Sequence, residues 1–110
     1  TANGGTVEFV NEADAACDGV DVVYAKSWGS KDCYGDIDKD IAFRIGLRKD
    51  WIVDQAKMSR TNEAIFMHCL PVRRNVIVTD AVIDSPNSVV VDEAENRLHV
   101  QKAIMTELIK

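Results

Sequence analysis

No apolar run in this 110-residue chain approaches the ~20 residues of a membrane span, so no membrane partner is expected. A basic excess is missing too. Thirteen Lys and Arg stand against 18 Asp and Glu, a formal charge of −5, which argues against a general binder of nucleic-acid phosphates. Cysteine is sparse: Cys17, Cys33 and Cys69 are widely spaced and form neither a metal motif nor a disulfide framework. That usage favours a reducing, cytoplasmic compartment. The first residues, TANGGTVEF, have no basic region and no apolar core of a signal peptide. They also have no initiator Met, so a piece of something longer is expected. Repeats and low-complexity segments are absent.

The remaining composition is that of a soluble globular chain, 46% apolar and 28% charged, long enough for one domain but hardly two. Strand and helix signals alternate along it. Residues 6–10 alternate with β-branched character and read as a strand, as do 20–24, 64–67 and 88–91. Asn11 is expected to cap a short helix to residue 16, and Asp50 a helix over 50–60. Thr79 caps a single turn over 80–83. Residues 28–50 show no long period and read equally as a functional lid or as a solvated loop containing a short helix. Residues 95–110 predict a long terminal helix, acidic at its start and ending on Lys. The expected fold is α/β: an open parallel, Rossmann-like sheet of about four strands with helices on both faces.

In such sheets ligands bind beyond the carboxyl ends of the strands. Lys26, Trp28, His68, Cys69, Leu70, Arg73, Arg74, Glu93 and Arg97 all fall near that edge. The cations among them point to an anionic ligand, a carboxylate or a phosphate. Bland readings stand beside this one. Loop Lys and Arg are ordinarily solvated, a free Cys is commonly an inert core thiol, and His68 alone fits a structural histidine. Neighbouring strand positions face opposite ways, so His68 and Cys69 pair only if the strand has already ended. Asn3-Gly4-Gly5 precedes a strand instead of following one, and no dinucleotide fingerprint results. Residue chemistry alone reaches an anion-binding α/β module.

His68-Cys69-Leu70-Pro71, continued by Val72-Arg73-Arg74-Asn75, resembles the signature of the ornithine-type transcarbamylases. Ser85-Pro86-Asn87-Ser88 and Glu93-Ala94-Glu95-Asn96-Arg97-Leu98-His99 are similar to that family's C-terminal region, and Asp21-Val22-Val23-Tyr24 with Trp28 to its amino-acid loop. The resemblance implies the amino-acid-binding domain, residues 1–92. Residues 93–110 would then form a helix packing on an absent carbamoyl-phosphate domain. Members acting on free ornithine carry an Asp two residues before the Trp and a Ser-Met-Gly after it. Lys26 and Gly29-Ser30-Lys31 stand here. Acylation removes the α-ammonium charge and leaves a carboxylate to neutralise, which a cation suits. The closest branch is therefore the N-acylornithine carbamoyltransferases of arginine biosynthesis. Acetyl-type members can carry a Lys two residues after the Asn where this chain has Ile77, which leaves acetyl against succinyl open.

By this resemblance a carbamoyl group passes from carbamoyl phosphate to the δ-amine, with no cofactor and no metal. Arg97 and His68 donate to the carbamoyl oxygen, Cys69 and the Leu70 carbonyl orient the amine, Lys26 and Arg73 hold the α-carboxylate, and Trp28 walls the pocket. Residues 29–40 close over it. The Ser-x-Arg-Thr-Arg and His-Pro-x-Gln motifs of the other domain do not occur, so the chain alone is expected to be silent and the whole enzyme a homotrimer. The terminal helix, apolar over a wide arc, is expected to swap onto a neighbour or fray. Two rivals remain: an ornithine carbamoyltransferase piece and a non-catalytic anion-binding module.

Overall fold

The computed structural model describes residues 2–109. Its centre is a two-stranded parallel sheet, β1 (Val22–Tyr24) beside β2 (Ile65–Met67), with Val22 opposite Ile65 and Tyr24 opposite Met67. Helices α1 (Ala13–Ala16), α2 (Ile37–Trp51), α3 (Gln55–Met58), α4 (Asp80–Ile83) and α5 (Val90–Leu108) complete the elements, with a 3-10 turn at Lys31–Cys33. Phe66, Ile77, Val78 and Val82 are almost wholly sealed from solvent and form the core with Val53, Ile83 and Val90.

The α/β class holds, but the expected four strands do not. Residues 6–10 form no strand: Val7 and Phe9 are 74% and 95% exposed, and no strand among the described residues pairs with the segment. A strand without a neighbour leaves its ladder groups to water, so β propensity alone does not hold it. Residues 88–91 make a ladder only one residue long. The Phe66 amide donates to the Asn87 carbonyl at 2.8 Å and the Val89 amide to the Phe66 carbonyl at 3.0 Å, after which Val90 enters α5. A second row, Val53 against Val78, is likewise a single bridge. The sheet therefore has two strands and a one-residue neighbour at Ser88, while Val78 bridges Val53 and Arg74 outside those strands.

Helix boundaries shift for reasons of capping. Residues 28–50, without a clear period, contain the 15-residue α2, whose Asp36 side chain accepts from the Lys39 amide at 3.0 Å. Acidic residues in its first turn and Arg48 and Lys49 in its last suit the macrodipole, yet it buries no residue. Burial, not capping, makes a period visible. The helix read over 50–60 shrinks to α3, because Ile52 and Val53 are drawn out of helix into the core and Asp54 becomes the cap. Glu12, not Asn11, precedes α1. Helix α4 lies at 80–83 as expected, with Thr79 at its N-cap but its hydroxyl making no capping bond. The terminal helix begins at Val90 instead of residue 95, and Val90 is its one buried residue; Leu98, Ile104 and Leu108 are all more than half exposed. The Cα radius of gyration is 16.6 Å. A compact chain of this length would reach about 13 Å, so part of the molecule stands off the core.

Candidate functional site

Parallel pairing brings the carboxyl ends of β1 and β2 to the same edge. The Ala25 amide still donates to the Met67 carbonyl at 3.0 Å, and both chains then leave the sheet. On the β2 side the strand has ended before His68, so His68 and Cys69 belong to a turn. Leu70 sits there in the left-handed region at φ 42°, ahead of a cis Leu70–Pro71 bond. A non-glycine residue in that region costs on the order of 1–2 kcal/mol, so the surroundings impose the shape. One restraint is local: the Leu70 amide donates to His68 Nδ1 at 3.0 Å.

That bond makes Nδ1 an acceptor and assigns the imidazole proton to Nε2. His68 is only 2% exposed, and its Nε2 is buried with no partner among the described residues. Burial first, and the nearby Lys26 charge second, hold its pKa below the ordinary imidazole range. A neutral ring results, with one buried N–H donor that no described residue pairs.

Around the turn, Lys26 Nζ donates to Cys69 Sγ at 3.0 Å. This bond pulls the Cys69 thiol below its usual range and raises Lys26. Arg97, from α5, reaches the Cys69 carbonyl at 3.4 Å. Lys26, His68, Cys69, Leu70 and Arg97 therefore meet at one place. Sequence spacing of 43 and 28 residues gave no sign of these contacts.

Arg73 and Trp28 are placed differently. Arg73 lines a groove of about 760 Å³ between the 29–36 segment, α2 and the 73–76 segment, with Gly29, Ser30, Arg44 and Val76. The 29–40 stretch thus forms one wall of an open groove. Trp28 is half-buried against the core, its indole Nε1 unpartnered among the described residues. Arg74 leaves the cationic rim altogether: it donates to Asp80 at 2.7 Å and grips Asp84 with both guanidinium ends. Arg44 was not singled out from the sequence. It donates to Asp40 at 2.6 Å and lies against Gly29, where an added Cβ would meet its Nη2 at 3.1 Å. Its only signal was the i, i+4 spacing from Asp40. Among the described residues no group of three or more His, Cys, Asp or Glu side chains could hold a metal ion, and no helix is long and apolar enough to cross a membrane.

Comparison with known proteins gives this α/β domain a family. The family model of the aspartate/ornithine carbamoyltransferase Asp/Orn-binding domain matches residues 1–108, and the chain belongs to that family. The N-acetylornithine carbamoyltransferase of Xanthomonas campestris pv. campestris is 51% identical over 107 residues, 97% of this chain and 31% of that protein. The N-succinylornithine carbamoyltransferase of Bacteroides thetaiotaomicron is 46% identical over 97 residues, 86% of this chain and 28% of that protein. A crystal structure of N-acetyl-L-ornithine transcarbamylase superposes with a TM-score of 0.86 at 51% identity, over 98% of this chain and 33% of that one. The acetylornithine transcarbamylase complexed with acetylcitrulline gives 0.79 at 54% identity, over 90% and 29%. This chain spans about a third of the length of the proteins it matches.

Proposed function

We propose that this chain is the amino-acid-binding, C-terminal part of an N-acylornithine carbamoyltransferase, which moves the carbamoyl group of carbamoyl phosphate to the δ-amine of N-acetyl- or N-succinyl-ornithine. The observation that carries the reading is the buried Nε2–H of neutral His68, unpaired among the described residues, next to Cys69, which Lys26 and Arg97 both contact. A fixed donor in a water-poor site suits the carbamoyl oxygen, on which charge develops during attack. Arg97 adds a second donor. Cys69 and the Leu70 carbonyl orient the amine, and Lys26 with Arg73 neutralise the α-carboxylate once the substrate bridges turn and groove. Trp28 walls the acyl side. No covalent intermediate on the protein is needed, since positioning and electrostatics carry such a transfer.

The remaining two thirds of the relatives' length would supply the phosphate site. In this reading residues 93–110 form the segment that packs on that second domain, covering the exposed apolar side of α5, residues 1–92 hold the amino acid, and the whole protein works as a cytoplasmic homotrimer in arginine biosynthesis. Titration calorimetry is the test. The chain should bind N-acetylnorvaline or N-succinylnorvaline in preference to free norvaline, and Lys26→Met should remove the preference. Equal or stronger binding of norvaline would favour an ornithine enzyme. Carbamoylation of acetylornithine by the 110-residue chain alone would overturn the division of labour.

A further inference from the structure

Two acidic residues open α5, and they are not equivalent. Asp92 is exposed, as expected of a carboxylate that serves only the helix dipole. Glu93 is partly buried. The Tyr24 hydroxyl donates to its Oε1 at 3.0 Å, and its Oε2 is buried without a partner among the described residues. A macrodipole role explains an acid in this turn but not the removal of water from one of its oxygens. Nor is the turn held by a cap, since Val89 makes no side-chain capping bond. Besides the burial of Val90 and the backbone bond from the Val89 amide to the Phe66 carbonyl, Tyr24–Glu93 is, among the described residues, the side-chain bond that ties the start of α5 to the sheet. Arg97 stands four residues further on, on the same face of the helix, and reaches the Cys69 carbonyl.

We propose that Glu93 is a positioning residue for the 68–70 turn: it fixes the first turn of α5 to the end of β1 and thereby sets Arg97 over Cys69. The inference rests on the reading of that turn as the reacting site. Glu93 also has an electrostatic part. The groups facing it are Tyr24 at the end of β1 and Lys26 beyond it, His68 and Cys69 from the turn, and Arg97 from its own helix. Lys26 favours the Cys69 thiolate and the neutral His68, and the Glu93 carboxylate opposes both effects. Its bond to Tyr24 raises the phenol above its ordinary value.

The test needs no turnover and uses the chain as it stands, so its failure is separable from failure of the carbamoyltransferase reading. In a Tyr34→Phe background, Tyr24 is the only tyrosine and its ionisation is read by absorbance. Glu93→Gln keeps an acceptor but removes the charge. The Tyr24 midpoint should fall by about half a pH unit, and so should the midpoint of Cys69 alkylation by iodoacetamide, mapped by peptide mass. Tyr24→Phe leaves the charge but removes the tie, and amide protection over residues 93–97 should fall several-fold by hydrogen exchange. Unmoved midpoints in a folded Glu93→Gln variant, or unchanged protection in Tyr24→Phe, would overturn the proposal. Should Glu93→Gln fail to fold, Tyr24→Phe decides alone.

Discussion

Phe9 and Phe66 both sit in short runs that read as strands, yet one is 95% exposed and the other admits no solvent. Phe66 lies in β2, with β1 on one side and the Asn87–Val89 backbone on the other. Phe9 lies in a segment that no strand among the described residues pairs with. The contrast shows that a run of β-formers becomes a strand only where neighbours take up its amides and carbonyls. It also separates a small, closed core from elements attached to it by caps and ion pairs.

Breaking the closed side should have the largest effect. Phe66→Ala removes a fully buried aromatic ring and should cost about 3–5 kcal/mol, much of the stability of a domain this size. Phe9→Ser should change stability by less than about 0.5 kcal/mol. Urea unfolding midpoints compare the two directly. Similar losses from both would mean that residues 6–10 are packed in solution after all.

A weaker break tests the attachment of the N-terminal segment. Lys57 is 6% exposed, and its ammonium pairs with Asp14 of α1 at 3.3 Å. Asp14→Asn leaves that cation buried and unpaired, but Asp14 itself is well exposed, so the loss should be held to about 1–2 kcal/mol. Lys57→Met in the same background should recover most of it, measured as a double-mutant cycle. No recovery would show that Asp14 acts through α1 or its Arg60 contact and not through Lys57.

The pH dependence sharpens the comparison at the site. His68 is held neutral by burial, so its folded pKa lies below its unfolded value of about 6.5. As pH falls through 6.5 the unfolded chain takes up a proton that the folded chain refuses. The stability present above 6.5 is lost downward towards the folded pKa, by about 1.4 kcal/mol per unit of depression. His68→Gln should flatten that part of the stability–pH curve. An unchanged slope would place His68 in contact with solvent.

What the sequence disclosed follows the same division. The run 64–67 and the turn 80–83 were legible because burial shapes their pattern. Helix α2 was not, since it buries no residue and is tied to its surroundings by Lys39 on the Asp32 carbonyl and Arg48 on the Asn75 carbonyl, and such bonds leave no period. At the site, His68-Cys69-Leu70-Pro71 was legible as a motif, because one local turn contains it. The Lys26–Cys69 and Tyr24–Glu93 contacts span 43 and 69 residues. Only the parallel register of β1 on β2 and the entry of α5 bring those pairs together.

The smallest expected effect lies within a single helix. In α5, Val90 is 7% exposed and Leu98 is 58% exposed. Val90→Ala should cost about 1–2 kcal/mol by removing two buried carbons. Leu98→Ser should cost less than about 0.5 kcal/mol in this chain, mostly through helix propensity. The ratio is diagnostic because both positions are aliphatic and share one helix. If α5 packs on a second domain in the longer protein, Leu98→Ser should become costly there while Val90→Ala stays as it is. Equal, small effects of Leu98→Ser in both forms would mean that this face remains in water, and the proposed cover of α5 would fail.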